Sequence, residues 1–201
     1  MKKVRLITIA SFFLSTALSG VGQGTFIYDQ QSVTNDNKGG EGAPVIQQSQ
    51  PMGQSFTPML NSVGFIRLWT GDSAFNGLGA VLYVNLRSDS ITGPILGSTQ
   101  PVFLPDRFAT RTNFIFVNPV SVTPGTTYYF QPVVQSGDTW QIVDDLNFNY
   151  PGGTAFGGGQ PAPPFDLWFR EGIIIPEPTG VSLLLLGMGL FAWRQRRWRK
   201  S

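Results

Sequence analysis

The sequence predicts an all-β fold, a single antiparallel β-sandwich of jelly-roll or Ig-like kind. Short apolar or alternating runs recur roughly every 10 to 20 residues, with turn residues between them. The 24 Gly and 15 Pro among 201 residues favour short strands joined by tight turns over long helices. Between the two hydrophobic ends, no segment keeps a helical period for more than about two turns. The middle segment, 25–175, is long enough for one hydrophobic core.

The clearest strand pattern is the run AVLYVNLR at 80–87. Its even-numbered residues are apolar and its odd-numbered residues include Tyr83 and Arg87, so the two sets lie on opposite faces. One buried face and one solvent-facing side are typical of a half-buried antiparallel strand. The run VGFIRLWT at 63–70 also alternates, with aromatic residues on one side and aliphatic residues on the other. Both runs are predicted strands.

Four further strands are predicted, at 112–117, within 122–134, at 140–143 and at 165–169. In the second of these, the turn residues at 123–125 precede the strand itself. Pro132 predicts that the end of this strand is an edge or a bulge, because proline has no N–H to give to a ladder. The stretches 35–53 and 150–164 are rich in Gly together with Gln or Pro, which predicts loops.

The sequence contains neither Cys nor His, which excludes several kinds of chemistry. Disulfides, thiol nucleophiles and thiolate metal sites need cysteine. The commonest general base and the commonest zinc ligand are both histidine. We therefore expect a protein that is not an enzyme and that needs no cofactor and no metal.

The formal net charge of +2 conceals an uneven distribution. The first five residues hold 3 of the 14 basic residues and the last eight hold 5, while all 12 acidic residues lie between Asp29 and Glu177. The middle of the chain thus has 6 basic against 12 acidic residues. An acidic folded part argues against nucleic acid as a partner, although the whole chain has a pI near 9.1.

Residues 1–24 have the pattern of a secretory signal peptide. Basic residues come first, then an apolar stretch at 6–18, then small residues at 19–24. The apolar stretch is short for a membrane span. Cleavage after Gly24 fits best, with cleavage after Gly22 as an alternative, and an uncleaved signal anchor is the other interpretation.

The C-terminal segment, 176–201, begins with Pro176-Glu177-Pro178. The uncharged stretch 179–193 follows, and as a transmembrane helix it would be about 22 Å long. Because a bilayer core is about 30 Å thick, flanking residues must assist or the bilayer must thin. Five basic residues close the segment and are expected to remain on the cytoplasmic side, namely Arg194, Arg196, Arg197, Arg199 and Lys200.

This segment resembles the C-terminus of bacterial PEP-CTERM proteins, in which a Pro-Glu-Pro motif, a short apolar helix and a basic tail occur in that order. The resemblance implies an exosortase-type membrane protease as partner, with cleavage near the motif after transient anchoring in the inner membrane. The family is found in Gram-negative bacteria that make extracellular polysaccharide, which implies an envelope or extracellular-matrix destination. A plain membrane anchor that is never cleaved is the alternative.

The middle domain is expected to have a non-enzymatic structural role, with a carbohydrate-binding module acting on exopolysaccharide as the alternative. Aromatic rings stack on sugars, and we consider Tyr83 and Trp140 as possible stacking residues. Core packing explains Trp69 and Trp168 more simply. An exposed set of aromatic residues would favour the alternative, and a buried set would favour the structural role.

Acidic residues offer two weaker hypotheses. Asp144 and Asp145, with Asp138 or backbone carbonyls, have the chemistry of calcium ligands, but the sequence has no D-x-D-x-D-G loop, so a solvated turn is the preferred interpretation. Asp166 and Glu171 are the best available pair for a glycosidase, which needs two carboxylates across a cleft. We expect neither hypothesis to hold.

Overall fold

The computed structural model describes residues 24–35 and 39–176, and within them all regular secondary structure is β-strand. None of these residues belongs to a helix that is long and apolar enough to cross a membrane. The predicted signal peptide up to residue 23, the predicted membrane helix at 179–193, Glu177, Pro178 and the basic tail lie outside the described residues. The strands are β1 (Thr25–Gln31), β2 (Gly53–Phe56), β3 (Ser62–Asp72), β4 (Ala80–Arg87), β5 (Ile95–Ser98), β6 (Val102–Leu104), β7 (Ala109–Ser121), β8 (Tyr128–Gly137), β9 (Trp140–Ile142), β10 (Asp144–Asp145), β11 (Ala155–Gly157), β12 (Gln160–Pro161), β13 (Asp166–Leu167) and β14 (Phe169–Ile175).

Two sheets pack face to face. The first sheet has the order β1-β14-β3-β7, with β9 also paired to β3, and the second has the order β12-β11-β2-β8-β4-β5, with β6 also paired to β4. A separate short pair joins β10 to β13. Ile66 and Phe114 of the first sheet share one buried cluster with Leu82 and Phe130 of the second. This arrangement is that of a sandwich, and the predicted all-β, antiparallel fold is confirmed.

The strands with the clearest sequence pattern form the centre of each sheet. β4 has the bounds that the alternation predicts, and its three central aliphatic residues, at 82, 84 and 86, are fully buried. β3 extends the run at 63–70 by a residue or two at each end and pairs along most of its length with β7. Alternation is most informative where one face is buried and the other is not, and that is the environment of these two strands.

Pro132 lies inside β8, which runs between β2 and β4. It faces Val84 of β4, whose N–H and C=O are both bonded to Thr99 on the other side, so Pro132 and Val84 exchange no backbone hydrogen bonds. On its other side β2 has already ended, and the Gln50 side chain donates to the Pro132 carbonyl at 2.8 Å. The proline therefore occupies a locally free edge within a central strand, which is why its missing N–H is tolerated.

The Gly-rich stretch 150–164, predicted as a loop, contains a β-hairpin. β11 pairs with β12 through a turn at Gly158 and Gly159, whose φ angles are 58° and 77°. Two consecutive residues with positive φ fit a type I′ turn, which only glycine enters at no steric cost. The hairpin is attached to the second sheet because β11 also pairs with β2.

The first and last strands of the domain are neighbours at one edge of the first sheet. β1 pairs only with β14 in the described sheet order, and β14 lies between β1 and β3. Beyond the end of β1, the Ser32 N–H donates to the Phe169 carbonyl at 3.1 Å. The fold therefore closes only when both ends of the domain are in place.

Candidate functional site

The outer face of the second sheet presents two tyrosines and a strip of polar side chains. We call this surface, formed by Tyr83, Asn85, Arg87, Tyr129 and Gln131, the polar face. Asn85 lies opposite Gln131 and Arg87 lies opposite Tyr129 in the β4–β8 ladder. Tyr83 is four residues before Arg87 on the same strand, so the two tyrosines are about 13 Å apart along the strands. Tyr83, Arg87, Tyr129 and Gln131 are partly exposed, whereas Asn85 is buried, with 4% of its surface exposed.

Hydrogen bonds fix the orientation of the polar face. Arg87 Nε donates to Gln131 Oε1 at 2.8 Å, and Gln131 Nε2 donates to Gln50 Oε1 at 2.7 Å. At the neighbouring position Ser98 Oγ donates to Asn85 Oδ1 at 2.6 Å. Amide and guanidinium groups held between aromatic rings provide hydrogen bonds for hydroxyl groups and flat surfaces for a ring. The alternation of β4 predicts the outward position of Tyr83, whereas a role in binding stays a prediction.

Trp140, the other residue considered for stacking, has no exposed surface. It lies in β9, on the inner side of the first sheet, and belongs to the main hydrophobic cluster. Its indole Nε1 has no acceptor within the described part of the chain. A sugar ring cannot reach this side chain, so the prediction that Trp140 stacks on a ligand is wrong. The short run around it did not reveal which face is buried.

The outer face of the first sheet is built from arginines stacked on aromatic rings. Trp69 and Trp168 meet edge to face with ring centroids 6.1 Å apart, and Trp168 is fully buried. Arg170 is only 4% exposed and its guanidinium donates to the carbonyls of Val33 and Thr34. Packing accounts for both tryptophans, in line with the simpler interpretation of the sequence. The stacked pairs are Arg67 with Phe26 and Tyr28, Arg111 with Trp69 and Trp168, and Arg170 with Tyr28 and Trp168.

Asp144 and Asp145, the acidic residues considered for calcium, lie in the short strand β10. Within residues 24–35 and 39–176, no three Asp or Glu side chains lie close enough to hold a metal ion together. Asp145 accepts the backbone N–H groups of Glu41 and Asn147, at 3.1 and 2.7 Å. Asp144 is half-buried, and burial raises the pKa of its carboxyl group. Asp145 thus holds the turn that follows β10, whereas the buried Oδ1 of Asp144 has no hydrogen-bond partner within the described residues.

The pair considered for glycoside hydrolysis is buried. Asp166 is 3% exposed, and its two oxygens accept hydrogen bonds from Gln54 Nε2 and from the Tyr150 N–H, both at 2.7 Å. Glu171 has no exposed surface. Because a polysaccharide cannot approach either carboxyl group, this arrangement does not support glycosidase chemistry.

A cavity of about 180 Å³ forms where the two Gly-rich stretches of the sequence meet. The β11–β12 hairpin is tied to the earlier stretch by the Gly158 N–H, which donates to the Ser49 carbonyl at 2.8 Å. Most of the lining is apolar, with Asp144 on one wall. The remaining walls include Pro44, Met52, Ala155, Phe156, Phe165 and Leu167.

The folded domain leads directly into the C-terminal segment. β14 ends at Ile175 and the next residue, Pro176, is exposed. The family model described as the PEP-CTERM protein-sorting motif matches residues 175–200. The chain thus carries a PEP-CTERM sorting motif, which implies export, membrane anchoring and processing by an exosortase, a membrane protein. No curated protein and no solved structure matches the chain.

Proposed function

We propose that the domain 25–175 is a non-enzymatic structural component of the cell envelope or extracellular matrix. The observation that carries the proposal is the direct passage from the last strand of the sandwich, at Ile175, into the sorting motif at 175–200. A motif of this kind addresses the domain that precedes it, in the manner of other removable C-terminal tails.

The use of carboxylates in the domain supports a structural role. An enzyme without His or Cys would depend chiefly on Asp and Glu, or on Lys and Tyr, for acid–base chemistry. Here several of the acidic side chains accept backbone N–H groups and so attach loops to strands. The bonded pairs include Asp29 with the N–H groups of Met59 and Leu60, Asp72 with those of Ala74 and Arg107, and Asp106 with that of Gly77.

The C-terminal residue of the protein from native cells shows whether the sorting motif is cleaved and the protein is released from the membrane. Mass spectrometry of the protein from the extracellular and membrane fractions gives its C-terminal residue. An end within 176–178 in the extracellular fraction is expected, and Glu177→Ala should shift the protein to the membrane fraction with an intact C-terminus. Glu41→Ala, which changes an exposed glutamate outside the motif, is the matched control. Wild-type protein that ends at Ser201 and stays in the membrane would contradict processing.

The structural role has its own test. A strain that lacks the chain should lose matrix cohesion, measured as the shear needed to disperse its aggregates. Expression of the wild-type chain should restore cohesion, whereas the Glu177→Ala chain should not. Equal cohesion with and without the chain would refute the structural role even if processing occurs as expected.

The polar face favours a second candidate function, carbohydrate binding. Two partly exposed tyrosines about 13 Å apart, with oriented amide and guanidinium groups between them, match the spacing of a short stretch of sugar chain. A panel of polysaccharides titrated against the full chain in detergent tests this function. Tyr83→Ala should weaken binding at least tenfold, while Tyr28→Ala, on the other sheet, should not. Failure of every polysaccharide to bind would eliminate this candidate.

A further inference from the structure

Glu171 is a charged residue type in the hydrophobic core. It lies on β14 opposite Ile66 of β3, between Phe169 and the end of the strand, and has no exposed surface. Within the described residues neither of its carboxylate oxygens accepts a hydrogen bond. An ionised carboxylate in this position would be costly, because burial without a partner strongly disfavours charge. The group must therefore be neutralised in the folded domain.

Asp29 of β1 is the acidic neighbour of Glu171. β1 lies directly beside β14, and a Cβ added to Gly172, the residue after Glu171, would lie 3.0 Å from the backbone nitrogen of Asp29. Its Oδ2 accepts the backbone N–H groups of Met59 and Leu60, each at 2.8 Å, and its Oδ1 accepts Gln30 Nε2 at 3.2 Å. These bonds hold the Asp29 carboxyl group in place on β1. Two ionised carboxylates repel each other, but a protonated Glu171 can donate its O–H to a carboxylate oxygen of Asp29.

The other groups near Glu171 are also acidic or neutral. Tyr150 is the next titratable side chain, and its hydroxyl donates to Gln30 Oε1 at 3.0 Å. Asp166 lies beyond it and accepts the Tyr150 N–H. The adjacent arginine of β14, Arg170, is on the opposite face, stacked on Tyr28 and Trp168. None of these neighbouring groups in the described part of the chain can supply a positive charge to Glu171. Protonation of its carboxyl group is therefore the way in which its charge is neutralised.

We propose that Asp29 and Glu171 form a proton-binding site, and that the proton they share fastens the first strand of the domain to the last. The shared proton converts a repulsion between β1 and β14 into a hydrogen bond. When the proton leaves, the buried charge of Glu171 faces the half-buried carboxyl group of Asp29 between β1 and β14. β1 is an edge strand, so it is the element that can move away and admit water.

The sign of the pH dependence follows from the burial of Glu171. Burial, with a smaller contribution from the nearby Asp29 charge, raises the pKa of Glu171 from an ordinary value of 4.5 to about 9. A raised pKa means that the folded domain binds the proton more tightly than the unfolded chain does. The stabilisation is complete below the ordinary pKa and declines as the pH rises, until it is lost near the raised value. Release of one proton accompanies the detachment of β1 in this pH window. Each pH unit therefore increases the equilibrium constant for that detachment about tenfold.

Hydrogen exchange of the full-length chain in non-ionic detergent tests the proposal. Protection factors of β1 peptides, corrected for intrinsic exchange, are measured from pH 5.5 to 8.5. The wild type should lose protection about tenfold per pH unit. Glu171→Gln keeps a neutral donor that cannot ionise, so its protection should vary less than threefold. Glu41→Gln, at the other described glutamate, should keep the wild-type slope. Equal slopes in wild type and Glu171→Gln would overturn the proposal.

Infrared spectroscopy tests the wild type without any substitution. Difference spectra of the full chain should contain a protonated carboxyl band at pH 7 that disappears as the pH passes about 9. This measurement holds even if Glu171→Gln does not fold. A wild-type spectrum with no protonated carboxyl at pH 7 would overturn the proposal.

Discussion

The substitution Asp166→Asn measures how much the buried polar network contributes to the stability of the sandwich. Asp166 lies in β13, just before β14, and its side chain is 3% exposed. Its Oδ1 accepts Gln54 Nε2 and its Oδ2 accepts the Tyr150 N–H, both at 2.7 Å. The Leu167 N–H in turn donates to Gln54 Oε1 at 3.0 Å. This network joins β2, β13 and the loop after β10.

The magnitude follows from the donors that lose an acceptor. Asparagine replaces one oxygen with an NH₂ group, so either the Gln54 amide or the Tyr150 N–H then faces another donor. The side-chain amide of Gln54 cannot flip to offer its oxygen to the new asparagine, because that Oε1 already accepts the Leu167 N–H. A buried donor without an acceptor costs about 1–3 kcal/mol, and bonds to a charged group are at the upper end. Burial raises the pKa of Asp166, so Asn avoids some desolvation, and we expect a net loss of about 2 kcal/mol.

Urea unfolding of the full chain in non-ionic detergent gives the free energy of unfolding. Tryptophan fluorescence is a suitable probe because Trp140 and Trp168 are fully buried. The control is Asp89→Asn, at an exposed residue with a φ of 66°, a conformation that Asn tolerates. The control should stay within about 0.5 kcal/mol of the wild type. A similarly small effect for Asp166→Asn would refute the argument that its two bonds stabilise the fold.

Three further substitutions test other parts of the fold by the same unfolding assay. Gly158→Ala should cost about 1 kcal/mol, because the φ of Gly158 is 58°. The control is Gly157→Ala, which should be neutral, because an added Cβ there also meets no nearby atom and Gly157 has no positive φ. Equal effects of the two substitutions would refute the turn assignment. Phe169→Ala should cost about 3–5 kcal/mol, because a fully buried ring leaves a cavity; a loss below about 1 kcal/mol would contradict its place in the core. Gly172→Ala should displace β1, because the added Cβ would lie 1.9 Å from the Ile27 carbonyl oxygen, and unchanged exchange protection of β1 would disprove that contact.

Sequence patterns predicted the central strands and failed at the edges for a physical reason. β4 matches its prediction residue for residue because one of its faces packs against the other sheet and the other does not. β1 has no such contrast: Phe26 and Tyr28 on its outer side pack on Phe65 and Arg67. Its partner strand is at the far end of the domain, and local patterns carry no information about distant pairing.

The candidate site was predictable only in part. Alternation predicts the outward position of Tyr83, but its neighbours on the polar face come from β8, whose register with β4 is a tertiary property. For Trp140, a three-residue strand leaves the buried face undecided. Glu171 is a different case, because the alternation with Phe169 would point it inward while its charge argues for the surface. Glu171 points inward in the fold, because a one-residue shift of β14 that moved Glu171 to the surface would also move Phe169 out of the core.

The pairing of β1 with β14 also constrains the order of export, folding and processing. The first sheet cannot be completed until residue 175 has been exported, because β14 is the strand that joins β1 to β3. The sorting motif begins where this strand ends. A cut within 176–178 would therefore remove no residue of the sandwich, whereas a cut a few residues earlier would remove part of the strand that bears Glu171. Processing is compatible with a folded domain only at or beyond the motif, so a folded sandwich would itself protect the chain from cleavage upstream of it.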